Sequence, residues 1–74
     1  MAEERKSLYD RLRDNNLTYV WLISILDKVG IHTDKSEMSS AVRGTISGDK
    51  AERIIAVSHK VLDQYDQFIL SLGE

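Results

Sequence analysis

Apolar residues recur every three or four positions along most of this chain, with polar residues between them. Leu8 and Leu12 form one such pair, and Leu22 and Leu26 form another. This spacing places side chains on one side of an α-helix, whereas a half-buried strand would alternate at every second position. The pattern therefore predicts an all-α chain that folds as a compact bundle of four or five helices.

Capping residues and glycines indicate where these helices begin and end. The predicted helices run from Ala2 to Asn15, from Thr18 as N-cap to about Lys28, from Asp34 to Arg43, and from Lys50 to about Leu72. Gly30 and Gly44 follow the second and third, where a residue with positive φ commonly ends a helix. Asp34 and Glu37 have the spacing of a capping box, and Asp49 is expected to cap the fourth helix.

One apolar side of each helix should face a common core. The residues expected to be largely buried there are Leu8, Leu12, Leu22, Leu26, Ile31, Met38, Val42, Ile54 and Val61. His59 is expected on the polar side of the fourth helix. Residues 63–74 extend that helix beyond the length that a small core needs.

The composition indicates one small cytoplasmic domain, residues 1–74. The chain has no Cys, so neither disulfides nor a Cys-based metal site can reinforce its thin core. It also has no Pro, which fits an all-helical chain. The longest apolar stretch lies around Tyr19 to Leu26 and is interrupted by Ser24, which is too short for a membrane span. The charged residues near Met1 precede no apolar segment of the kind that a signal peptide carries.

Charge leaves nucleic-acid binding open without favouring it. The formal net charge of −2 counts against strong non-specific binding to DNA. The acidity is concentrated in the tail, where Asp63, Asp66 and Glu74 occur without a basic residue in residues 61–74.

Candidate chemistry for an enzyme or a metal site is weak. His32 and His59 are far apart and have neither Cys nor clustered acids beside them, so we expect no metal. Ser47-Gly48-Asp49 is too short to cradle a phosphate, and no Ser/His/Asp spacing indicates a nucleophile. The sequence thus predicts no catalytic residue, no cofactor and no small-molecule ligand.

The order of signals in residues 17–62 is that of a helix-turn-helix, two short helices across a corner followed by a helix that closes the core. It resembles the lambda-type phage repressors and their Cro-like and Xre-type relatives over most of residues 5–62. The matching pieces are Leu17-Thr18-x-x-x-Leu22-Ile23, Gly30-Ile31, Met38 to Gly44, and Ile54 to Leu62. The segment between Gly30 and Met38 is longer than the turn of that family.

The resemblance implies that the third helix reads double-stranded operator DNA. It assigns base-edge contacts to Lys35, Ser36, Ser39 and Ser40. It assigns phosphate contacts to Tyr19, Arg43, Thr45 and Lys50. These residue types suit the roles, because hydroxyls can donate or accept at base edges and cationic side chains bind phosphates. Alternatives without a role in DNA binding are that the serines are only exposed to solvent and that Arg43 only interacts with the helix dipole.

Two segments carry more apolar residues than one small core requires, and they are candidate protein interfaces. The residues concerned are Tyr19, Val20 and Ile23 of the second helix, and Tyr65, Phe68, Ile69 and Leu72 of the tail. For the second helix, complete coverage by helices one and four is an equal alternative. For the tail, we expect contact with another chain, either in a homodimer or with a different partner.

Two functions follow from these patterns. The first is a sequence-specific DNA-binding transcriptional regulator of the phage or mobile-element type, a repressor-like protein that acts as a dimer. The second is an antirepressor or modulator that keeps the helix-turn-helix fold but binds another repressor protein. The motif order, Ser39-Ser40 and Arg43-Gly44-Thr45 favour the first function. The net charge, Asp34, Glu37 and the extra apolar residues of the second helix favour the second function.

Overall fold

Residues 7–73 are described by a computed structural model, in which they form four α-helices and no strand. The helices are α1 (Leu8–Asp14), α2 (Tyr19–Lys28), α3 (Lys35–Arg43) and α4 (Asp49–Leu72). The radius of gyration is 12.5 Å. The prediction of a compact all-helical bundle is confirmed, with four helices in this part of the chain.

Side-chain caps and glycines set most of the helix boundaries. Thr18 accepts a hydrogen bond from the backbone N–H of Trp21 at 3.1 Å, as predicted for the N-cap of α2. Ser7 caps α1 in extended conformation, with ψ of 158°, so the helix begins at Leu8. The prediction of one continuous helix from Ala2 is therefore wrong at Ser7, and residues 2–6 lie outside the described part.

The start of α4 differs from the prediction by one residue. Gly48, and not Asp49, occupies the N-cap position, with φ of +113° and no side-chain cap. A glycine adopts this backbone conformation at little cost, so the chain enters the helix one residue earlier. Asp49 is the first helical residue, where its negative charge interacts favourably with the helix dipole.

The core lies between α4 and the other three helices. Its fully buried side chains include Leu22, Leu26, Met38, Ile54 and Leu62. Seven of the nine predicted core residues are buried, namely Leu8, Leu12, Leu22, Leu26, Ile31, Met38 and Ile54.

Val42 and Val61 are only half-buried, contrary to the prediction, because of the rotation of their helices. The inward side of α3 is centred between Met38 and Ala41, so Ala41 is buried in place of Val42. On α4, Leu62 is buried in place of Val61.

A partly buried polar contact joins α1 to α4, and the burial of His59 corrects the prediction for this residue. Its side chain is 6% exposed and does not lie on the polar side of α4. Arg11 Nη1 donates to His59 Nδ1 at 3.0 Å, which places the imidazole proton on Nε2 when the ring is neutral. Arg11 Nη2 also binds Asp63 and Asp66, at 2.9 and 3.1 Å.

Apolar side chains remain exposed in both of the segments that the sequence predicts as protein interfaces. On α2, Val20 is 58% exposed while Tyr19 and Ile23 are half-buried, so complete coverage of that helix is ruled out at Val20. On the last turns of α4, Phe68, Ile69 and Leu72 are exposed, as is Leu70. Tyr65 marks where coverage of α4 ends, with its ring edge-on to Trp21 at 5.6 Å between centroids.

Candidate nucleic-acid interface

The outward side of α3 carries small and cationic side chains. Successive residues of a helix are rotated by about 100°, so with Met38 and Ala41 buried the opposite side is centred on Ser36 and Arg43. Both of these residues are exposed. Ser39 and Ser40 lie on the two flanks of α3 and are half-buried, and Lys35 is exposed at its first turn.

Local signals account for the ends of α3. Asp34 Oδ1 accepts from the backbone N–H of Glu37 at 2.7 Å, which confirms Asp34 as the cap. The Glu37 carboxylate instead accepts from Thr33 Oγ1 at 2.6 Å, so the hydrogen bond from Glu37 back to the cap is not made. Gly44 ends the helix in the left-handed conformation, with φ of +79°.

The segment between α2 and α3 is fixed to the core although it is longer than a tight turn. Gly30 has φ of +92°, as expected of a residue that ends a helix. Ile31 is 4% exposed, and its N–H donates to Leu26 O at 2.9 Å. The buried Ile31 therefore holds the chain against the end of α2 before α3 begins.

On one flank, α3 faces residues of α1 and α2 across a groove of about 430 Å³. Ser39 and Arg43 line this groove together with Tyr19 of α2 and Tyr9 of α1. One predicted base-contacting residue and two predicted phosphate-contacting residues are thus brought to the same place. Ser7 and Val42 also line the groove. It therefore offers four hydroxyl groups and one guanidinium group, which are hydrogen-bond donors suited to an anionic ligand.

Tyr19 keeps its phenolic proton in this groove. Burial raises the pKa of Tyr19 above its usual value, the neighbouring Tyr9 raises it further, and Arg43 opposes the rise. At neutral pH the hydroxyl is therefore protonated and able to donate a hydrogen bond.

On the other flank, the predicted phosphate-contacting residues are engaged within the protein. Thr45 Oγ1 donates to Ser40 O at 3.2 Å beside the end of α3. Lys50 Nζ lies 3.2 Å from Glu37 Oε1. The hydrogen bond from Thr33 and the contact with Lys50 lower the pKa of Glu37, which keeps this carboxylate ionised. Lys50 is thus balanced by Glu37, and its attraction for a phosphate is reduced.

Sequence reasoning missed Tyr9. It is 53% exposed, and the Arg13 guanidinium carbon lies 5.7 Å from the centroid of its ring. The i, i+4 spacing of Tyr9 and Arg13 is a usable local signal for this cation–π contact. Nothing local, however, indicates that Tyr9 faces α3, because that depends on how α1 packs.

Two further observations bear on the class of protein. Among residues 7–73, no three His, Cys, Asp or Glu side chains form a group that could hold a metal ion. In the same part of the chain, no helix combines the length and the apolar character needed to cross a bilayer.

Comparison with known proteins returned no match to a protein-family model, to a curated protein or to a solved structure.

Proposed function

We propose that this chain is a sequence-specific DNA-binding transcriptional regulator of the phage or mobile-element type. In this proposal α2 and α3 act as a helix-turn-helix of the lambda-repressor type, and α3 enters the major groove. The observation that carries the proposal is the outward side of α3, where Ser36 and Arg43 are exposed and the apolar Met38 and Ala41 turn inward.

The dimensions of α3 suit this role. A major groove about 12 Å wide admits an α-helix, whose diameter with side chains is about 10–12 Å. The nine residues of α3 extend about 13 Å along the helix axis. Lys35 and Ser36 of the first turn would meet base edges, with Ser39 and Ser40 one turn later. Arg43 would bind a phosphate at the end of the helix.

Selection of duplex DNA from a random-sequence library at low salt tests the proposal. We expect enrichment of a defined site. The affinity should be modest because the formal net charge is −2, and it should fall as salt rises because phosphate contacts release counterions. Arg43→Ala should weaken binding to all sequences and lower the salt slope by about one counterion. Ser39→Ala or Ser40→Ala should change preference at particular base pairs, by up to about 1–3 kcal/mol.

Lys60→Ala is a matched control for Arg43→Ala. It removes one positive charge from an exposed position of α4 outside the proposed interface. We expect it to change affinity much less than Arg43→Ala at the same salt concentration. Equal effects of the two substitutions would mean that net charge, and not a contact at the end of α3, governs binding.

We propose further that the exposed end of α4 joins two copies of the chain. Exposed apolar patches of this kind mark interaction surfaces, and a single short helix reads too few base pairs for useful specificity. Phe68 is 59% exposed and Leu72 is 67% exposed, and these two residues are one helical turn apart. A dimer would bury these side chains and present two copies of α3 to the DNA.

Light scattering on Phe68→Asp tests the dimer. We expect the parent chain to have the mass of a dimer and Phe68→Asp to have that of a monomer, since a carboxylate at the interface would be desolvated. Gln67→Asp is the control, because it adds the same charge to a neighbouring polar, exposed position and should remain dimeric. A monomeric parent would contradict the proposal.

The second candidate function is an antirepressor that binds another repressor protein. Two observations favour it: Val20 is 58% exposed on α2, and Glu37 pairs with Lys50, which neutralises a positive charge that would otherwise attract DNA beside α3. Failure of the parent chain to enrich any DNA sequence at low salt, together with tight binding to a purified phage repressor, would favour this function over the first.

A further inference from the structure

The groove of about 430 Å³ beside α3 brings together polar groups from three helices. Tyr9 comes from α1, Tyr19 comes from α2, and Ser39 and Arg43 come from α3. None of these side chains forms a hydrogen bond with another across the groove in the described part of the chain. The groove is therefore lined by donors that remain available to a ligand, and it lies beside the side of α3 that would meet DNA.

The polar groups of the groove suit an anion with several acceptor oxygens. Arg43 contributes one positive charge and a planar set of N–H donors, which matches the geometry of a phosphate. The two phenols contribute O–H donors, and burial raises the pKa of Tyr19. A phosphodiester of the nucleic-acid backbone is such an anion, with two free acceptor oxygens.

We propose that Tyr9, Tyr19 and Arg43 bind one and the same backbone phosphate, so that α1 is part of the DNA interface. This inference rests on the proposed function and adds a residue and a shared ligand to it. Tyr9 belongs to α1, whereas the sequence predicts DNA contacts mainly from α2 and α3. Its ring is held by the Arg13 guanidinium at 5.7 Å, which favours one orientation of a side chain that is otherwise half exposed.

The shared phosphate fixes the register of the protein on DNA. Contacts to phosphates position a protein on the duplex, and three contacts to one phosphate restrain rotation about that point. A groove formed by α1, α2 and α3 would thus set the depth and angle at which α3 enters the major groove. The shared phosphate contact would offset in part the weaker attraction of Lys50 for a phosphate, because Lys50 is paired with Glu37.

The experiment measures binding of Tyr9→Phe to a duplex that the parent chain selects, by fluorescence anisotropy over a series of salt concentrations. Removal of one hydroxyl that donates to an anion should weaken binding about tenfold. The salt slope should stay unchanged, because no charge is lost, whereas Arg43→Ala should lower it by about one. Ser24→Ala is the control, since it removes one hydroxyl from an exposed position of α2 that does not line this groove.

Duplexes with a single neutral methylphosphonate test whether the phosphate is shared. At one position, the substitution should weaken binding of the parent about tenfold, and it should weaken Tyr9→Phe and Arg43→Ala by less than that, because each variant has already lost one contact to that phosphate. If Tyr9→Phe binds like the parent while Arg43→Ala is weaker, the inference fails and the proposed function stands. Different sensitive positions for the two variants would also overturn it. If the parent binds no duplex at low salt, both fail.

Discussion

Truncation of Leu22 to alanine is expected to lower the free energy of unfolding by about 2–5 kcal/mol, as for other buried leucines. Leu22 is fully buried on α2, in the same core as Met38 of α3 and Ile54 of α4. Removal of its side chain would leave a cavity that these helices can fill only in part. Urea unfolding monitored by circular dichroism would measure the change.

Val20→Ala is the matched control for Leu22→Ala. It shortens an apolar side chain on the same helix, but Val20 is 58% exposed and a surface change of this kind should stay within about 0.5 kcal/mol. A loss under about 0.5 kcal/mol for Leu22→Ala would contradict the assignment of the core.

The consequence of this truncation is large because the chain is short. Domains commonly have free energies of unfolding of about 5–15 kcal/mol, and a chain of 74 residues is expected near the lower end. One buried leucine therefore accounts for a large fraction of the stability. Binding assays on any core variant would have to be made where the chain is still folded.

Local signals were sufficient to predict most of the helix boundaries. Thr18 and Asp34 are caps because a short polar side chain can bind the N–H groups of the next turn, and that chemistry needs no tertiary contact. Gly44 ends α3 for a reason that is equally local, its left-handed conformation. The spacing of apolar residues predicted the four helices because it reflects the 3.6-residue turn directly.

Errors arose where the rotation of a helix or a contact between helices decides the outcome. Val42 and Ala41 are adjacent and both apolar, so the pattern alone cannot tell which one faces the core. The sequence predicts His59 on the polar side of α4, whereas its side chain is buried. Its burial depends on Arg11, which is 48 residues away in sequence, and a single sequence does not reveal that pairing.

In the candidate site, too, the features set by local spacing are predicted and those set by helix packing are not. Ser36 and Arg43 are exposed because Met38 faces the core, and the sequence predicts the positions of all three residues correctly. The engagement of Lys50 by Glu37 across two helices was not foreseen, nor was the approach of Tyr9 to α3. Each of these depends on how helices pack, which is the least local property of the fold.

Replacement of Arg11 by methionine is expected to lower the free energy of unfolding by about 1–3 kcal/mol, mainly through the charged hydrogen bond to His59. The Arg11 side chain is only 14% exposed, and its contact with His59 is partly buried. The carboxylates of Asp63 and Asp66 contribute less, because they are 61% and 47% exposed and screened by solvent. Methionine retains much of the apolar stem, so the measurement reports on the guanidinium group.

Arg13→Met separates this effect from the loss of a positive charge. Arg13 lies on the same short helix but is 64% exposed, and its ion pair with Asp10 spans 3.4 Å. We expect its replacement to change stability by less than about 0.5 kcal/mol in thermal and urea unfolding. Since α1 has only seven residues and cannot be stable alone, loss of the Arg11 contact should also release α1 from α4. Faster amide exchange in residues 8–14 of Arg11→Met would report that release, and equal exchange and stability in the two variants would contradict a role for Arg11 in holding α1.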